Sequence, residues 1–70
     1  MADETIRRVG VVLKTTSAEA AELGMKLIDE LERLGIEALV DSESAAALNR
    51  SDGVDRAALP GQVDLVVVLG

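Results

Sequence analysis

The stretch that decides the fold is the run DLVVVLG at residues 64–70, in which five apolar residues lie between an aspartate and a glycine. A short, continuous, β-branched run of this kind is typical of a strand covered on both faces in a parallel α/β sheet. In such sheets, ligands bind in the crevice beyond the carboxyl ends of the strands. The run therefore predicts an α/β fold whose functional edge lies at Gly70, where the 70 residues end.

The composition limits the chain to one small domain and excludes several classes of function. The 70 residues carry a formal net charge of −6 and contain no cysteine, no histidine and no aromatic residue. Disulfides, thiolate chemistry and zinc sites built on Cys or His are therefore excluded. Binding to nucleic acid or to an anionic membrane is disfavoured, because aromatic stacking platforms and a basic cluster are both missing. The polar start and the lack of a long apolar stretch predict a cytoplasmic protein without a secretory signal.

Strands and helices are expected to alternate along the chain. Apolar and small residues recur every three or four positions over residues 17–34, which predicts the main helix. A short helix is predicted over residues 43–48, where alanines follow polar residues. Short apolar runs predict the strands, which cover residues 6–13, 36–40 and 63–69.

The ends of these helices carry recognisable capping residues. Thr16 with Glu19 has the spacing of a capping box, and Ser17 is an equally suitable cap one residue later. Gly35 suits the left-handed conformation that closes a helix. Asp41 and Ser42 are expected to cap the short helix.

One further turn is predicted between the short helix and the last strand. Asp55 is expected to cap it, and Pro60 and Gly61 are expected to stop it. No linker or internal repeat divides the chain.

This order of elements predicts the topology of the sheet. Right-handed crossovers arrange the three strands most simply as a parallel sheet in the order 2-1-3. Because one substantial helix cannot cover both faces, one face of the sheet needs further covering. Residues 1–70 are therefore expected to form a single incomplete domain, part of a Rossmann-like, doubly wound α/β sheet. Without aromatic side chains in its core, the 70-residue chain is expected to self-associate or to be only partly ordered.

Lys14 is the first candidate binding residue, because it follows the first predicted strand at the edge where ligands bind. The turn KTTS at residues 14–17 offers a lysine, hydroxyls and the free N–H groups of a helix start to a phosphate. The turn lacks the glycines of the known phosphate-binding loops, so a capped helix with a solvated lysine is the alternative interpretation. Gly70 likewise has an alternative interpretation as a simple strand terminator.

Five segments of the chain carry a resemblance to a known family. They read RVGVVLK at residues 8–14, SAEAAEL at residues 17–23, LGIE at residues 34–37, DSESA at residues 41–45 and VDLVVVLG at residues 63–70. In this order and spacing they resemble the opening of bacterial NAD kinase. The fourth segment is similar to the family's acidic segment after its second strand, and the fifth looks like the strand that leads into its Gly-Gly-Asp-Gly motif.

The resemblance implies an enzyme that phosphorylates the adenosine 2′-hydroxyl of NAD, using ATP or polyphosphate and a divalent metal such as Mg²⁺. It also implies an N-terminal α/β domain, a C-terminal β-rich domain, an active site between them, and homo-oligomers. Gly70 corresponds to the first glycine of the motif and Lys14 lies in the same crevice, so both are expected to bind nucleotide. The motif aspartate, the expected base, would follow Gly70. The 70 residues alone are therefore expected to be inactive, with no catalytic residue, metal ligand or bound cofactor of their own.

Two other functions stay open. The first is a free-standing α/β interaction or regulatory module, whose uncovered sheet face and unpaired strand edge bind a partner. A fragment of a related kinase acting on diacylglycerol or sphingoid lipids is the other alternative. The reading frame separates these hypotheses: Gly-Asp-Gly after Gly70 favours the enzyme, and a stop codon favours the module.

Overall fold

The computed structural model describes residues 6–14 and 17–69, and its strands form one parallel sheet. β1 (Arg8–Leu13), β2 (Glu37–Val40) and β3 (Leu65–Leu69) are arranged in the order β2-β1-β3. Both strand pairs are parallel. The α/β fold class and the 2-1-3 strand order predicted from the sequence are confirmed.

The interior strand of this sheet is β1. Val11 lies in register with Val40 on one side and with Val67 on the other. Val9, Val11 and Leu13 of β1 are all buried. Complete burial of a valine side chain such as Val11 contributes roughly 1.5–3 kcal/mol, so β1 is the main source of hydrophobic stabilisation in the sheet.

The main helix, α1 (Ala18–Arg33), begins at Ser17. The Ser17 hydroxyl accepts a hydrogen bond from the Ala20 N–H at 3.2 Å, so Ser17 is the cap that the helix uses. Thr16, the other predicted cap, lies outside the described residues. After the helix, Gly35 adopts φ +81°, the left-handed conformation predicted for a closing glycine.

Small residues bring α1 close to the sheet. Ala20, Gly24 and Ile28 form the buried part of the helix. A Cβ atom at Gly24 would lie 3.1 Å from Cδ2 of Leu13, so the helix backbone packs directly against the end of β1. No described helix is long or apolar enough to cross a membrane.

The opposite face of β1 is covered by a short 3₁₀ helix, Leu59–Gln62. Leu59 is 1% exposed, and a Cβ atom at Gly10 would lie 3.2 Å from its Cγ atom. The prediction that Pro60 and Gly61 stop the preceding turn is wrong, because both lie inside this 3₁₀ helix. Proline is tolerated at the start of a helix because its missing N–H would have no partner there.

The closing strand is less covered than its sequence predicts. Leu65, Val66 and Val68 of β3 are 47%, 37% and 58% exposed, whereas a strand covered on both faces was expected. The reason is topological: the order β2-β1-β3 places β1 in the interior and β3 at an edge of the described sheet.

This strand also begins later than predicted, at Leu65 instead of residue 63. The side chain of Asp64 bonds to the backbone at the start of β1. Its carboxylate accepts hydrogen bonds from the N–H groups of Arg7 and Arg8 at 2.9 and 3.0 Å. These bonds lower the pKa of the Asp64 carboxyl group below its ordinary value. The residue fixes the relative positions of the two strand starts.

The remaining boundaries differ from the predictions by one or two residues. β1 begins at Arg8 instead of residue 6, and β2 begins at Glu37 instead of residue 36. The short helix, α2 (Ser42–Ala47), starts and ends one residue earlier than predicted. Asn49 follows it with φ +62°.

Gly53→Ala is expected to destabilise the fold by about 1–3 kcal/mol, the usual cost of overpacking. A Cβ atom at Gly53 would lie 2.7 Å from Cα of Ser42 and 2.8 Å from Cβ of Ala45. Neither atom can rotate away, so the backbone must shift. Urea unfolding followed by circular dichroism measures the change in the free energy of unfolding.

The matched control for this variant is Gly61→Ala. No heavy atom lies within 4 Å of a Cβ built at Gly61, so the added methyl group meets open space. A neutral effect, or a small gain of less than about 1 kcal/mol from the restricted unfolded chain, is expected. Equal losses of unfolding free energy in Gly53→Ala and Gly61→Ala would contradict the close approach of the backbone at Gly53.

Candidate functional site

The carboxyl ends of the three parallel strands meet at one edge of the sheet. Lys14 follows β1, Asp41 follows β2 and Gly70 follows β3. Lys14 is exposed, and its N–H donates a hydrogen bond to the carbonyl oxygen of Leu69 at 2.6 Å. Gly70 lies outside the described residues. The structure therefore brings Lys14 beside the last described residue of β3, one position before Gly70.

A buried ion pair lies at the end of β2. Asp41 is fully buried, and its Oδ2 atom accepts hydrogen bonds from Nη2 and Nε of Arg56 at 2.9 and 3.1 Å. The same Nη2 atom donates to Oε1 of Glu43 at 3.1 Å. Because the Arg56 side chain is 55% exposed, the charge of the buried carboxylate is balanced by a partner that water still reaches.

The ionisation of Asp41 follows from these surroundings. Burial raises the pKa of the Asp41 carboxyl group. The polar groups of Ser44 and the Arg56 guanidinium together lower it by a larger amount, so the pKa lies below the usual value of 3.8. Asp41 holds the cap position of α2, yet its side chain makes no capping hydrogen bond, contrary to the prediction. Its Oδ1 atom is buried and has no hydrogen-bond partner within the described part of the chain. The carboxylate therefore pairs with Arg56 and does not cap the helix.

Ser44 ties α2 to the end of β1. Its hydroxyl oxygen accepts a hydrogen bond from the Leu13 N–H at 2.8 Å, and its side chain is buried. β2 ends at Val40, whose partner in register is Val11, so β2 offers no carbonyl group to Leu13. The serine hydroxyl satisfies a buried N–H that would otherwise cost about 1–3 kcal/mol. It thereby fixes the backbone immediately before Lys14.

The outer edge of β2 is closed by the loop that follows α2. The Val54 N–H donates to Val40 O at 2.8 Å, and the Ser42 N–H donates to Val54 O at 2.9 Å. These bonds form a parallel bridge between Asp41 and Val54. They place the following residue pair, Asp55 and Arg56, over the end of β2.

A cavity of about 230 Å³ opens beside the buried ion pair, lined by Asp41, Ser42, Glu43, Asp55 and Arg56. Three carboxylates against one guanidinium give the lining a net charge of −2, which disfavours a phosphate-bearing ligand. No group of three carboxylates in residues 6–14 and 17–69 is arranged to hold a metal ion. Lys14 does not line this cavity.

A second cavity, of about 330 Å³, lies at the opposite edge of the sheet, at the start of β1 and before β3; its lining residues are Arg7, Arg8, Gly61, Gln62, Val63 and Asp64. Parallel sheets bind ligands at the carboxyl edge. The Asp64 carboxylate is also already bonded to the backbone of β1. We therefore interpret this cavity as a structural feature of the fold and not as a ligand site.

Sequence reasoning missed the roles of Arg56 and Ser44. An aspartate that directly follows a buried strand indicates that its carboxylate needs a positively charged partner. Nothing in the sequence pattern, however, identifies a partner fifteen positions away. The serine gives no signal at all, because a hydroxyl in a short alanine-rich helix is ordinarily solvated.

Comparison with known proteins finds a curated relative that matches most of this chain. The chain is 37% identical over 65 residues to the NAD kinase of Solibacter usitatus (strain Ellin6076). The chain matches a segment of an NAD kinase. The match covers 93% of this chain and 23% of that relative. The resemblance to NAD kinase that the five segments carry is thereby confirmed. No family model and no solved structure matches the chain.

Asp41→Asn is expected to lower the free energy of unfolding at pH 7 by about 1–3 kcal/mol, because it removes a buried, hydrogen-bonded charge. The pKa of Asp41 is lowered in the folded state, so the unfolded chain binds more protons on acidification. The stabilisation is therefore present above the ordinary pKa of 3.8 and is lost as the pH falls through the lower folded value. The stability difference between wild type and variant should narrow over this acidic range in chemical denaturation.

Asp52→Asn is the control for this comparison. Asp52 pairs with Arg50 at 2.7 Å, but its side chain is 60% exposed, so screening limits the loss to less than about 1 kcal/mol. Two results would contradict the importance of the buried pair. One is an equal loss of unfolding free energy in Asp41→Asn and Asp52→Asn at pH 7. The other is a stability difference between wild type and Asp41→Asn that does not change with pH.

Proposed function

We propose that this chain is the N-terminal segment of an NAD kinase, which transfers a phosphoryl group to the adenosine 2′-hydroxyl of NAD. The observation that carries the proposal is the 37% identity to an NAD kinase over 65 residues. The parallel 2-1-3 sheet supports it, because this topology places a ligand crevice at the carboxyl edge. ATP or polyphosphate is the proposed donor, Mg²⁺ the proposed metal, and the cytoplasm the proposed location. The whole enzyme is proposed to be a homo-oligomer.

The chemistry assigned to this segment is positioning and charge neutralisation. Phosphoryl transfer depends mainly on these two effects. Lys14 supplies a positive charge at the end of β1, and Gly70 is proposed to let a phosphate approach the backbone at the end of β3. Ser44 and Asp41 hold the ends of β1 and β2, so the lysine is presented from a fixed backbone.

The base and the metal are not assigned to the described residues. A catalytic base must lie within about 2.6–3.2 Å of the proton that it removes. The carboxylates at this edge are engaged with Arg56 or line an acidic cavity, and residues 6–14 and 17–69 gather no carboxylate set for a divalent ion. No step of the transfer is therefore routed through a metal held by these side chains.

The 70-residue chain alone is expected to form no NADP. Purified chain is incubated with NAD, ATP or polyphosphate, and Mg²⁺, and NADP is measured with an NADP-specific dehydrogenase. The reason is that residues 6–14 and 17–69 gather no carboxylate set for a divalent ion and that the Asp41 carboxylate is paired with Arg56. Reproducible NADP formation above a blank without enzyme would contradict this assignment.

A chimera tests the proposed function directly. This chain replaces the matched 65-residue segment of the Solibacter usitatus NAD kinase, and the chimera is assayed for NADP formation. Activity is expected, because the strands and the carboxyl edge should be equivalent. The matched control is the same relative lacking the segment, which should be inactive. A folded chimera without activity would overturn the assignment to the NAD kinase family.

Lys14→Ala in the active chimera is expected to raise the KM for ATP or NAD roughly 5–30-fold, because an exposed charge–phosphate contact of about 1–2 kcal/mol is lost. Lys26→Ala is the matched control, because Lys26 is equally cationic and exposed but lies on α1, away from the carboxyl edge. Steady-state kinetics measure both variants. Unchanged KM values for both substrates in Lys14→Ala would remove this residue from the binding site.

An interaction module is the second candidate function, and the exposure of β3 favours it. Leu65, Val66 and Val68 present an apolar strand to solvent, which is typical of a surface that binds another polypeptide. The codons after Gly70 separate the two candidates. Gly-Asp-Gly supports the kinase, and a stop codon supports the module.

A further inference from the structure

Asp52 and Gly53 are the one aspartate–glycine pair of the sequence. They lie in the loop between α2 and the bridge residue Val54. The Asp52 side chain is 60% exposed, and the Gly53 N–H donates no hydrogen bond within the described part of the chain. Because glycine has no Cβ atom, no side chain shields this backbone nitrogen from the preceding carboxyl group. Two groups that can react with each other are therefore adjacent in an accessible loop.

The chemistry open to this pair is succinimide formation. The Gly53 nitrogen attacks Cγ of Asp52, a nitrogen–carbon bond forms, and the carboxyl hydroxyl group leaves as water with the proton from the nitrogen. Water then opens the ring at one of its two carbonyl carbons. Opening at the main-chain carbonyl carbon of Asp52 leaves the chain linked through Cβ and Cγ, which is isoaspartate. The product has the mass of the starting chain, and water is the only other reactant.

Arg50 restrains the side chain that would have to move in this reaction. Its Nε and Nη2 atoms donate hydrogen bonds to Oδ1 and Oδ2 of Asp52 at 2.9 and 2.7 Å. Attack requires the Asp52 side chain to turn until Cγ meets the Gly53 nitrogen. A two-point contact between a guanidinium and a carboxylate fixes the orientation of both groups, so it opposes this turn.

The ion pair also keeps the carboxyl group in its less reactive form. The hydrogen bonds from Arg50 lower the pKa of the Asp52 carboxyl group below its ordinary value. A carboxylate is a poor target for a nitrogen nucleophile, because an oxide ion leaves far less readily than water. A smaller population of the neutral acid therefore slows ring closure.

Arg50 is itself held in place by the surrounding chain. Its N–H donates a hydrogen bond to the carbonyl oxygen of Ala45 at 2.8 Å, and its side chain is 27% exposed. Asp52 and, to a smaller extent, Glu32 on α1 raise the pKa of its guanidinium group above the ordinary value. The restraint on Asp52 therefore depends on the folded positions of α1 and α2.

The position of the pair makes isomerisation costly to the fold. Isoaspartate inserts one additional carbon atom into the main chain directly before Gly53. A Cβ atom at Gly53 would already lie 2.7 Å from Cα of Ser42, so the backbone has no room for displacement toward α2. The next residue, Val54, forms the bridge that closes the outer edge of β2. The inserted atom must disturb one of these two contacts.

We propose that Asp52–Gly53 is a site of isoaspartate formation and that the Arg50 side chain protects this site in the folded chain. This inference goes beyond the proposed enzymatic function and does not rest on it.

Ageing of the wild-type chain and of Arg50→Gln at pH 7 tests the proposal. Isoaspartate is counted by labelling with a protein isoaspartate methyltransferase, and fragmentation mass spectrometry assigns it to residue 52. It should form roughly two- to fivefold faster in Arg50→Gln, which is the range expected when an exposed ion pair is lost. Circular dichroism verifies that both chains keep their helix content.

The matched control is Arg33→Gln. It makes the same change in charge at an exposed arginine that pairs with Glu30 on α1. Its rate of isoaspartate formation at residue 52 should equal that of the wild type.

A second comparison is made in denaturing guanidinium chloride, where the ion pair is absent. The wild type and Arg50→Gln should then react at the same rate, and the denatured wild type should react faster than the folded wild type. Several results would overturn the proposal: no isoaspartate at residue 52 in any folded chain, equal rates in folded wild type and Arg50→Gln, an equal rise in Arg33→Gln, or a difference that persists in the denaturant.

Discussion

The burial of β1 between two parallel partners constrains every other element, because its backbone groups must bond to neighbouring chain instead of water. β2 and β3 satisfy most of these groups. The two ends of β1 need additional partners, and side chains supply them. The Asp64 carboxylate accepts the N–H groups at the start, and the Ser44 hydroxyl accepts the Leu13 N–H at the end.

The same constraint explains how the two faces of the sheet are filled. α1 reaches the sheet through Ala20 and Gly24, which are small enough to let the helix backbone approach Leu13. On the other face Leu59 packs against the backbone of β1 at Gly10. With no aromatic residue in the chain, close approach of small and aliphatic residues replaces the large side chains that usually fill such a core.

Sequence patterns were sufficient for the features that depend on local periodicity. The apolar spacing of α1, its serine cap and the left-handed Gly35 follow from the sequence, and right-handed crossovers then fix the 2-1-3 order. The apolar run of β3 did not predict that this strand is exposed, because such a run indicates burial. The presence of one substantial helix did indicate that one face of the sheet lacks cover. The 3₁₀ helix through Pro60 was missed because a proline that stops one turn can equally begin another.

The residues of the candidate site also differ in whether the sequence could predict their positions. Lys14 was predictable, since its position depends only on where β1 ends. Arg56 was not, because its position depends on the parallel bridge of Asp41 with Val54. That bridge and the bond from Ser44 to β1 join residues 41–56 to the sheet at two places. Release of residues 41–56 would leave the Leu13 N–H of β1 and the Val40 carbonyl group of β2 without these partners. This segment should therefore open as one cooperative unit with the rim of the sheet and not fray as an independent surface loop.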